Sequence, residues 1–400
     1  MSDILFLAHR IPYPPDKGDK IRSWNILKHL SEHHKVHLGC FIDDERDWQF
    51  TETLKGVTAS AHFAKLHQKM GRVRGLLSGL ARGEPLSLGY FRDGGLKRWV
   101  NECLSNQPID YAVIFSSPMA QYVIVKNGAK APTVIDFVDV DSDKWTQYAK
   151  HKRFPEKWIY AREARTLVAY ERRVAVQAKA SLFVSRAEAD LFRRLAPEAA
   201  SKVHALNNGV DLDFFSPERA YEDVIKHEGP VVTFTGAMDY WANVDAVRWF
   251  VHDIWPAIRS TRPNAKFYIV GGNPTPDVKE LSREDGVIVT GRVADVRPYI
   301  ARADVVVAPM RIARGVQNKV LEGMAMARPV VTTPQGLEGI DAVPGRDLVV
   351  GEDAMSVTAA VISVLNGDHA SELGANARRQ MVGHYSWDSS LKVLDDLLNR

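Results

Sequence analysis

The segment from residue 304 to residue 333 constrains the fold of this chain more than any other part of the sequence. Two short apolar runs, residues 305–309 and 329–333, flank a stretch with helical periodicity at residues 316–327. Fully apolar strands joined by a helix are typical of a βαβ unit in a parallel sheet that is covered on both faces. The segment therefore predicts an α/β domain.

The loop and helix start between those two predicted strands are rich in polar and small residues: Arg311, Arg314, Gly315, Asn318 and Lys319. Open parallel sheets bind ligands at the carboxyl ends of their strands, and a helix start is a natural seat for phosphate. Glu322 follows Lys319 by one helical turn, where its carboxylate can accept hydrogen bonds from ribose hydroxyls. The pattern predicts a donor site for a nucleotide diphosphate. The alternative is a solvent-exposed Lys319–Glu322 ion pair.

The length of 400 residues exceeds one ordinary core and favours two domains. In the first half, strand patterns at 4–9, 35–41, 111–117, 134–140, 181–185 and 203–207 alternate with helical patterns. After the turn-rich stretch at 208–230 the alternation restarts, with a strand at 231–236 and one long helix at 243–259. We therefore expect two doubly wound Rossmann-like domains, at residues 1–215 and 216–383, and a C-terminal helix in 384–400 that packs back on the N-terminal domain.

Composition favours a globular protein, with 45% apolar and 25% charged residues. No run of about 18 apolar residues suggests a membrane span, and the first residues read as a strand, not as a signal peptide. Two cysteines do not make a disulfide framework or a zinc site. We expect a cytoplasmic location and no nucleic-acid partner.

The charge is distributed unevenly between the two predicted domains. Residues 1–215 hold 32 Lys and Arg against 25 Asp and Glu, whereas residues 216–400 hold 20 against 24. Much of the excess lies in residues 65–98, where basic residues alternate with leucines and aromatics. That pattern suits peripheral contact with an anionic inner-membrane surface. The alternative is a solvated charged face over a core stripe.

Further candidates follow other predicted strands. Gly236 and Asn243 follow the first strand of the second half, where glycine allows close backbone approach and asparagine can begin a helix. They indicate either a loop beside the donor or an ordinary turn.

In the first half, Lys17, Gly18 and Arg22 follow the first strand, which ends at His9, and indicate phosphate or acceptor recognition or a solvated basic turn. Asp139 and Asp141 end a later strand, and one such acid can orient an acceptor hydroxyl. This acidic cluster lacks the glycine and distal glutamate of a calcium loop, so we expect no metal.

The assembled motifs resemble GT-B glycosyltransferases of family 4 (group 1), and most closely the exopolysaccharide sugar transferases associated with exosortase/PEP-CTERM systems. The resemblance spans nearly the whole chain and rests on residues 14–22, 136–145, 208–211, 234–239 and 315–322. It implies a retaining, metal-independent transfer of a sugar from a UDP- or GDP-linked donor to a glycan or lipid-linked oligosaccharide. The family's donor carboxylate corresponds to Glu322. No cofactor beyond the donor is implied.

Two departures from the family pattern affect the donor site. The first glutamate of the family's Glu-x7-Glu pair is replaced by Arg314, and the Arg and Lys of the loop after Gly236 are absent. We hypothesise that Lys319, with Arg311 or Arg314, replaces them around the diphosphate. Asp139, together with Lys319 and Glu322, completes the predicted catalytic set.

The sequence has three alternative interpretations. A sugar-nucleotide 2-epimerase uses the same layout without an acceptor, and a non-catalytic nucleotide- or glycan-binding relative would bind without turnover. A nicotinamide dehydrogenase is disfavoured because no Gly-x-Gly-x-x-Gly follows a first strand.

Overall fold

The computed structural model describes residues 1–67, 71, 75–76, 79, 81–125, 128–150, 153–313, 315–367 and 369–399. It divides into two compact units, Met1–Asn207 with Leu391–Arg400, and Asn208–Ser390. The predicted boundary at residues 215 and 216 lies inside the second unit. The reason is local, since Val210 forms a β-bridge with Ser386 and its N–H donates to the Tyr385 carbonyl at 2.7 Å.

The first unit is built on a seven-stranded sheet in the order β3-β2-β1-β4-β7-β8-β9, and every pair in it is parallel. Its strands are β1 Asp3–Ala8, β2 Lys35–Ile42, β3 Ser60–Lys65, β4 Ile109–Phe115, β7 Thr133–Val138, β8 Ala180–Phe183 and β9 Val203–Ala205. A separate antiparallel pair is formed by β5 Ile124–Val125 and β6 Gly128–Ala129.

The helices of the first unit connect these strands. They are α1 Gly18–His33, α2 Thr51–Val57, α3 Leu86–Tyr90, α4 Gly94–Asn106, α5 Asp141–Lys150, α6 Glu156–Gln177 and α7 Arg186–Leu195. Short 3₁₀ turns lie at Glu45–Phe50, Ser117–Tyr122 and Pro197–Lys202.

The second unit has a six-stranded parallel sheet in the order β12-β11-β10-β13-β14-β15. Its strands are β10 Val231–Thr235, β11 Lys266–Val270, β12 Val287–Gly291, β13 Val305–Ala308, β14 Val330–Thr332 and β15 Val349–Val350. Its helices are α8 Trp241–Trp249, α9 Trp255–Thr261, α10 Pro276–Glu280, α11 Arg297–Arg302, α12 Asn318–Ala325, α13 Pro334–Leu337, α14 Ala354–Leu365 and α15 Ala370–His384. A π-helical turn, Phe250–Ile254, joins α8 to α9, and a 3₁₀ turn lies at Leu281–Arg283.

A final helix, α16 Trp387–Leu398, contains the division between the two units. Its last residues, from Leu391, belong to the first unit. There the Asp395 carboxylate lies 2.7 Å from His29 Nε2 of α1.

The burial of the central strands explains why their sequences are continuously apolar. All five residues of β10 and all four of β13 are buried, because helices cover both faces of the sheet. Each unit has its own apolar core. These observations confirm the predicted fold class of two doubly wound, Rossmann-like α/β units.

Strand order reverses between β1 and β4 in the first unit and between β10 and β13 in the second. Ligands of open α/β sheets bind at such reversal points, beyond the carboxyl ends of the strands. We therefore expect the candidate site residues at these two sheet edges. Within the described ranges, no helix is both long and apolar enough to cross a membrane.

Candidate functional site

The reversal point of the second unit brings together three residues predicted from the sequence. Lys319, in the first turn of α12, donates from Nζ to Asn243 Oδ1 at 3.0 Å. Asn243 in turn donates from Nδ2 to the Ala237 carbonyl at 2.9 Å. The Lys319 ammonium also lies 5.2 Å from the centroid of the Phe234 ring. Lys319 is thus held over the end of β10, beside Gly236.

Glycine is required at the ends of β10 and β11. A Cβ at Gly236 would lie 2.7 Å from Asn243 Nδ2, and a Cβ at Gly271 would lie 1.7 Å from the Gly236 carbonyl oxygen. The second distance is far inside van der Waals contact, so a side chain at Gly271 would displace the loop after β10. Two glycines therefore let this loop pass close to the neighbouring strand and to Lys319.

Lys319 and Glu322 lie half-buried on the same helix, and burial shifts both groups toward neutrality. Burial lowers the pKa of the Lys319 ammonium to about 8, although the nearby Glu322 charge opposes the shift. Burial raises the pKa of the Glu322 carboxyl to about 7, and Lys319 opposes that shift. A bound diphosphate would restore the charge on Lys319, because an adjacent anion favours the ammonium form.

The other predicted donor residues differ in where the structure places them. Gly315 adopts φ +67°, a left-handed conformation that favours glycine, and Asn318 Oδ1 accepts from Asn208 Nδ2 at 3.3 Å. Arg311 forms a two-point ion pair with Asp245, at 3.0 Å and 2.5 Å, and lies over the Trp249 ring. The structure therefore directs Arg311 toward α8 and Asp245, not toward Lys319. Arg314 lies outside the described residues.

The start of α12 adds donors to the site. Gln317 precedes the helix, and in the described part of the chain no side chain caps it. The first backbone N–H groups of a helix have no intrahelical acceptor and suit an anion. Lys319 and these N–H groups together can stabilise a diphosphate.

Sequence reasoning missed Arg292, which directly follows β12 at the same sheet edge. Its guanidinium lies against Gly272, with Nε 3.4 Å from where a Cβ of that glycine would be. The Gly291-Arg292 pair after an apolar run was the available signal. Arg292 adds a second cationic side chain to the edge that carries Gly236 and Gly271.

At the reversal point of the first unit, His9, Arg10 and Asp19 form a cluster. Asp19 Oδ2 lies 2.6 Å from Arg10 Nη1 and 3.4 Å from His9 Nε2. Burial alone would raise the pKa of the Asp19 carboxyl, but the His9 hydrogen bond and the charges of Arg10 and His9 hold it far below its ordinary value. The sequence predicts that the first strand ends at His9, but it does not indicate that Arg10 and Asp19 pair beside it.

The predicted acceptor residues after β1 separate in the structure. Lys17 and Gly18 lie exposed at the start of α1. Arg22 is only 1% exposed, and its guanidinium binds Asp136 through Nε at 2.7 Å and Nη2 at 3.2 Å. This pair lies in the interior of the first unit, so Arg22 stabilises the fold below the sheet edge.

Asp136 also shapes the loop that carries Asp139. Its Oδ1 accepts from the Val138 N–H at 3.1 Å, and Val138 adopts φ +69°. A β-branched residue in the left-handed region is strained, and such strain is concentrated at functional sites. Ser116, at the end of the neighbouring strand β4, is also left-handed, with φ +79°.

Asp139 and Asp141 both contact Lys144, at 3.3 Å and 3.1 Å. The Asp139 Oδ1 atom is buried and accepts no hydrogen bond within the described ranges. A buried carboxylate oxygen without a donor is costly, and a ligand hydroxyl would satisfy it. Asp139 is therefore the acid of this loop best suited to bind an acceptor. Among the residues the structure describes, no group of three His, Cys, Asp or Glu side chains is placed to hold a metal.

Part of the chain is similar to known protein sequences. Residues 229–367 match the family model for glycosyl transferases group 1. LpcC, a lipopolysaccharide core biosynthesis mannosyltransferase of Rhizobium leguminosarum bv. viciae, is 26% identical over 208 residues. That match covers 48% of this chain and 58% of LpcC, so it spans little more than half of the relative's length.

Solved structures match the whole chain at low identity. Anabaena HepE, in complex with UDP and glucose, has a TM-score of 0.70 at 15% identity and is covered over 100% of both chains. WaaG, a glycosyltransferase involved in lipopolysaccharide biosynthesis, has a TM-score of 0.67 at 16% identity, covering 98% of this chain and 99% of WaaG. The chain has the GT-B fold, and residues 229–367 are similar to the glycosyl transferases group 1 family. The narrower resemblance to exosortase-associated transferases stays a prediction.

Proposed function

We propose that this protein is a glycosyltransferase that moves a hexose from a UDP- or GDP-linked donor to a glycan or lipid-linked acceptor in the synthesis of a bacterial surface polysaccharide. The observation that carries the proposal is the position of Lys319 and Glu322 on the helix that follows the reversal point of the second unit. The family match covers this segment, and HepE, a protein of the same fold, binds UDP and glucose.

The charged groups of α12 suggest how the donor would be bound and how its leaving group would be stabilised. Departure of the nucleotide diphosphate creates negative charge, which Lys319 and the N–H groups at the start of α12 would stabilise. Glu322, one turn further along α12, would accept hydrogen bonds from the ribose hydroxyls and fix the donor. Asn243 would hold the Lys319 ammonium in place until the diphosphate replaces it as the partner.

For the acceptor half, we assign Asp139. Its Oδ1 atom, which has no hydrogen-bond donor among the described residues, would accept the hydrogen bond of an acceptor hydroxyl. The acceptor oxygen would form its bond on the face from which the diphosphate leaves, so the anomeric configuration would be retained. The hydroxyl proton would pass to the leaving diphosphate, and no metal would take part.

The test is donor consumption by the purified full-length chain with UDP-glucose, UDP-galactose and GDP-mannose, with and without a bacterial lipid extract as acceptor. Lys319→Ala should lower turnover by about 10²–10³-fold, the usual cost of losing one group that stabilises developing charge. The matched control is Lys279→Ala, an exposed lysine of the same unit, which should keep normal turnover. Near-normal turnover of Lys319→Ala would remove the proposed role of this residue.

The same assay separates the alternatives. Isomerisation of the donor without an acceptor would indicate an epimerase, and nucleotide binding without donor consumption would indicate a non-catalytic binder. Proton NMR of the product reports the anomeric configuration, and an inverted product would contradict the retaining mechanism. Loss of turnover in EDTA would contradict metal independence.

Peripheral membrane contact is proposed for residues 65–98, part of which lies outside the described residues. The excess of basic residues in the first half of the chain supports it, since anionic lipids attract such segments. Co-sedimentation with phosphatidylglycerol vesicles should exceed that with phosphatidylcholine vesicles. Equal binding to both would count against the proposal.

A further inference from the structure

A surface groove of about 390 Å³ runs along α8 and the π-helical turn Phe250–Ile254 of the second unit. Pockets of this size hold small ligands. Its lining includes two indole rings and four charged side chains: Trp241, Trp249, Asp245, Arg248, Asp253 and Arg311. None of these is needed by the donor site described above.

One aromatic side chain of the groove, Trp241, is open to solvent, whereas Trp249 is half-buried. Trp241 is 45% exposed, and the adjacent Tyr240 is 50% exposed, with the two ring centroids 6.3 Å apart. Neighbouring exposed aromatics in a groove mark an interaction surface, because their burial on a ligand is favourable. The apolar C–H face of a sugar ring packs well on such rings.

The charged side chains of the groove are balanced. Arg311 is fixed by its two-point pair with Asp245 and lies 5.4 Å over the Trp249 ring. Arg248 and the exposed Asp253 add one charge of each sign. Carboxylates and guanidinium groups together offer acceptors and donors for vicinal hydroxyls. Because two carboxylates offset the two guanidinium groups, the lining has no net positive charge to attract an anionic lipid surface and favours a neutral, polyhydroxylated ligand.

The groove borders two loops that also lead to the donor residues. The loop after β10 begins at Gly236, beside Lys319, and ends at Trp241 in the groove. The loop after β13 contains Arg311, which lines the groove, and leads to α12, which carries Lys319. A saccharide in the groove would therefore contact the same two loops that carry the donor residues.

We propose that this groove binds a neutral saccharide chain at a site separate from the donor site. The inference rests on the proposed function, because the expected occupant is the glycan that the enzyme extends. Trp241 would pack on the face of one sugar ring. Arg311, Asp245 and Asp253 would exchange hydrogen bonds with its hydroxyls.

The experiment titrates the full chain with neutral tetrasaccharides of glucose, mannose and galactose and follows binding by saturation-transfer NMR. At least one tetrasaccharide should bind, and Trp241→Ala should weaken it about tenfold, which corresponds to about 1.4 kcal/mol. The matched control is Trp158→Ala, which removes a 55% exposed indole from the first unit and should leave binding unchanged. Asp253→Asn tests the hydroxyl contacts and should also weaken binding.

Two results would overturn the proposal: no binding by any tetrasaccharide, or equal binding by wild type and Trp241→Ala. If Trp241→Ala instead abolishes vesicle binding, or converts a dimer to a monomer, the groove belongs to a membrane or to a second copy. UDP and GDP binding is measured on the same samples. If Trp241→Ala still binds UDP or GDP but no longer binds saccharide, the groove and the donor site are separate. If wild type binds neither UDP nor GDP, that result contradicts the proposed function alone.

Discussion

Lys319 and Glu322 lie one helical turn apart, and burial shifts their ionisation in opposite directions. The pKa of Lys319 is lowered to about 8 and that of Glu322 is raised to about 7. In the proposed donor site, diphosphate binding would require the ammonium form of Lys319, and the ribose hydroxyls would donate best to the carboxylate form of Glu322. Both residues are in the required form only between these two pKa values.

We therefore predict that affinity for UDP-glucose or GDP-mannose is greatest between about pH 7 and pH 8. It should fall at lower pH as Glu322 gains a proton and at higher pH as Lys319 loses one. Calorimetric titration with these donors is suitable because their diphosphate diesters do not titrate in this range.

Two variants test which residue causes the fall in donor affinity at each end of the pH range. Lys319→Arg should flatten the alkaline limb, because a guanidinium keeps its charge. Glu322→Gln should flatten the acidic limb. A pH-independent wild-type affinity would show that neither residue contacts the donor.

At the scale of secondary structure, the loop after β7 depends on a buried ion pair. Arg22 of α1 binds Asp136 of β7, and Asp136 also holds the N–H of the strained Val138. Removing one partner leaves the other as an uncompensated buried charge. The pair thus links α1 to the loop that carries Asp139.

Asp136→Ala should destabilise the protein by about 3–5 kcal/mol in urea unfolding, since Arg22 would remain buried without its partner. The control is Glu52→Ala, which breaks an exposed pair with Lys55 and should cost no more than about 0.5 kcal/mol. Similar losses from the two variants would contradict the structural role given to Asp136.

The glycines at the strand ends of the second unit provide another test. Gly271→Ala places a Cβ 1.7 Å from the Gly236 carbonyl oxygen, so the loop that joins β10 to α8, the helix of Asn243, must shift. We expect a loss of about 1–3 kcal/mol in stability, as for other overpacked sites, together with weaker nucleotide binding. Gly56→Ala, where no atom lies within 4 Å of the new Cβ, should instead leave binding intact. Normal nucleotide binding by Gly271→Ala would contradict the tight loop geometry.

Sequence periodicity predicted the central strands well because parallel strands covered on both faces are continuously apolar, as in β10 and β13. It missed β3, in which only one of six residues is buried, and β15, which has only two residues. It also predicted one helix at 243–259, whereas the π-helical turn Phe250–Ile254 separates α8 from α9. Edge strands and π turns lack a strong apolar period, so periodicity does not reveal them.

The site residues also divide into those that the sequence predicted and those whose contacts it did not predict. Loop position identified Gly236, Asn243 and Lys319, because all three follow strands that meet at one sheet edge. It could not identify the partners of Arg311 and Arg22, since Asp245 and Asp136 are remote in sequence from them. Side-chain pairing across elements depends on packing, and spacing along the chain does not encode it.

At the scale of the whole molecule, two doubly wound units of the same class carry different chemistry at their reversal points. The edge in the second unit is lined by Lys319, Arg292 and glycines, which suit a nucleotide diphosphate. The edge in the first unit carries acids at Asp19 and Asp139, which suit a hydroxyl-bearing acceptor. Much of the basic excess of the first half lies elsewhere in the sequence, within 65–98 and 151–173.

The most direct test of the central claim is thermal unfolding of the full chain with UDP, GDP, ADP and TDP, and with their sugars, for wild type and Glu322→Ala. A nucleotide at a hundred times its dissociation constant should stabilise wild type by about 2.7 kcal/mol. Glu322→Ala should lose that shift, whereas Glu284→Ala, an exposed glutamate of the same unit, should retain it. No shift with any nucleotide, or an equal shift in Glu322→Ala, would contradict a donor site at the start of α12.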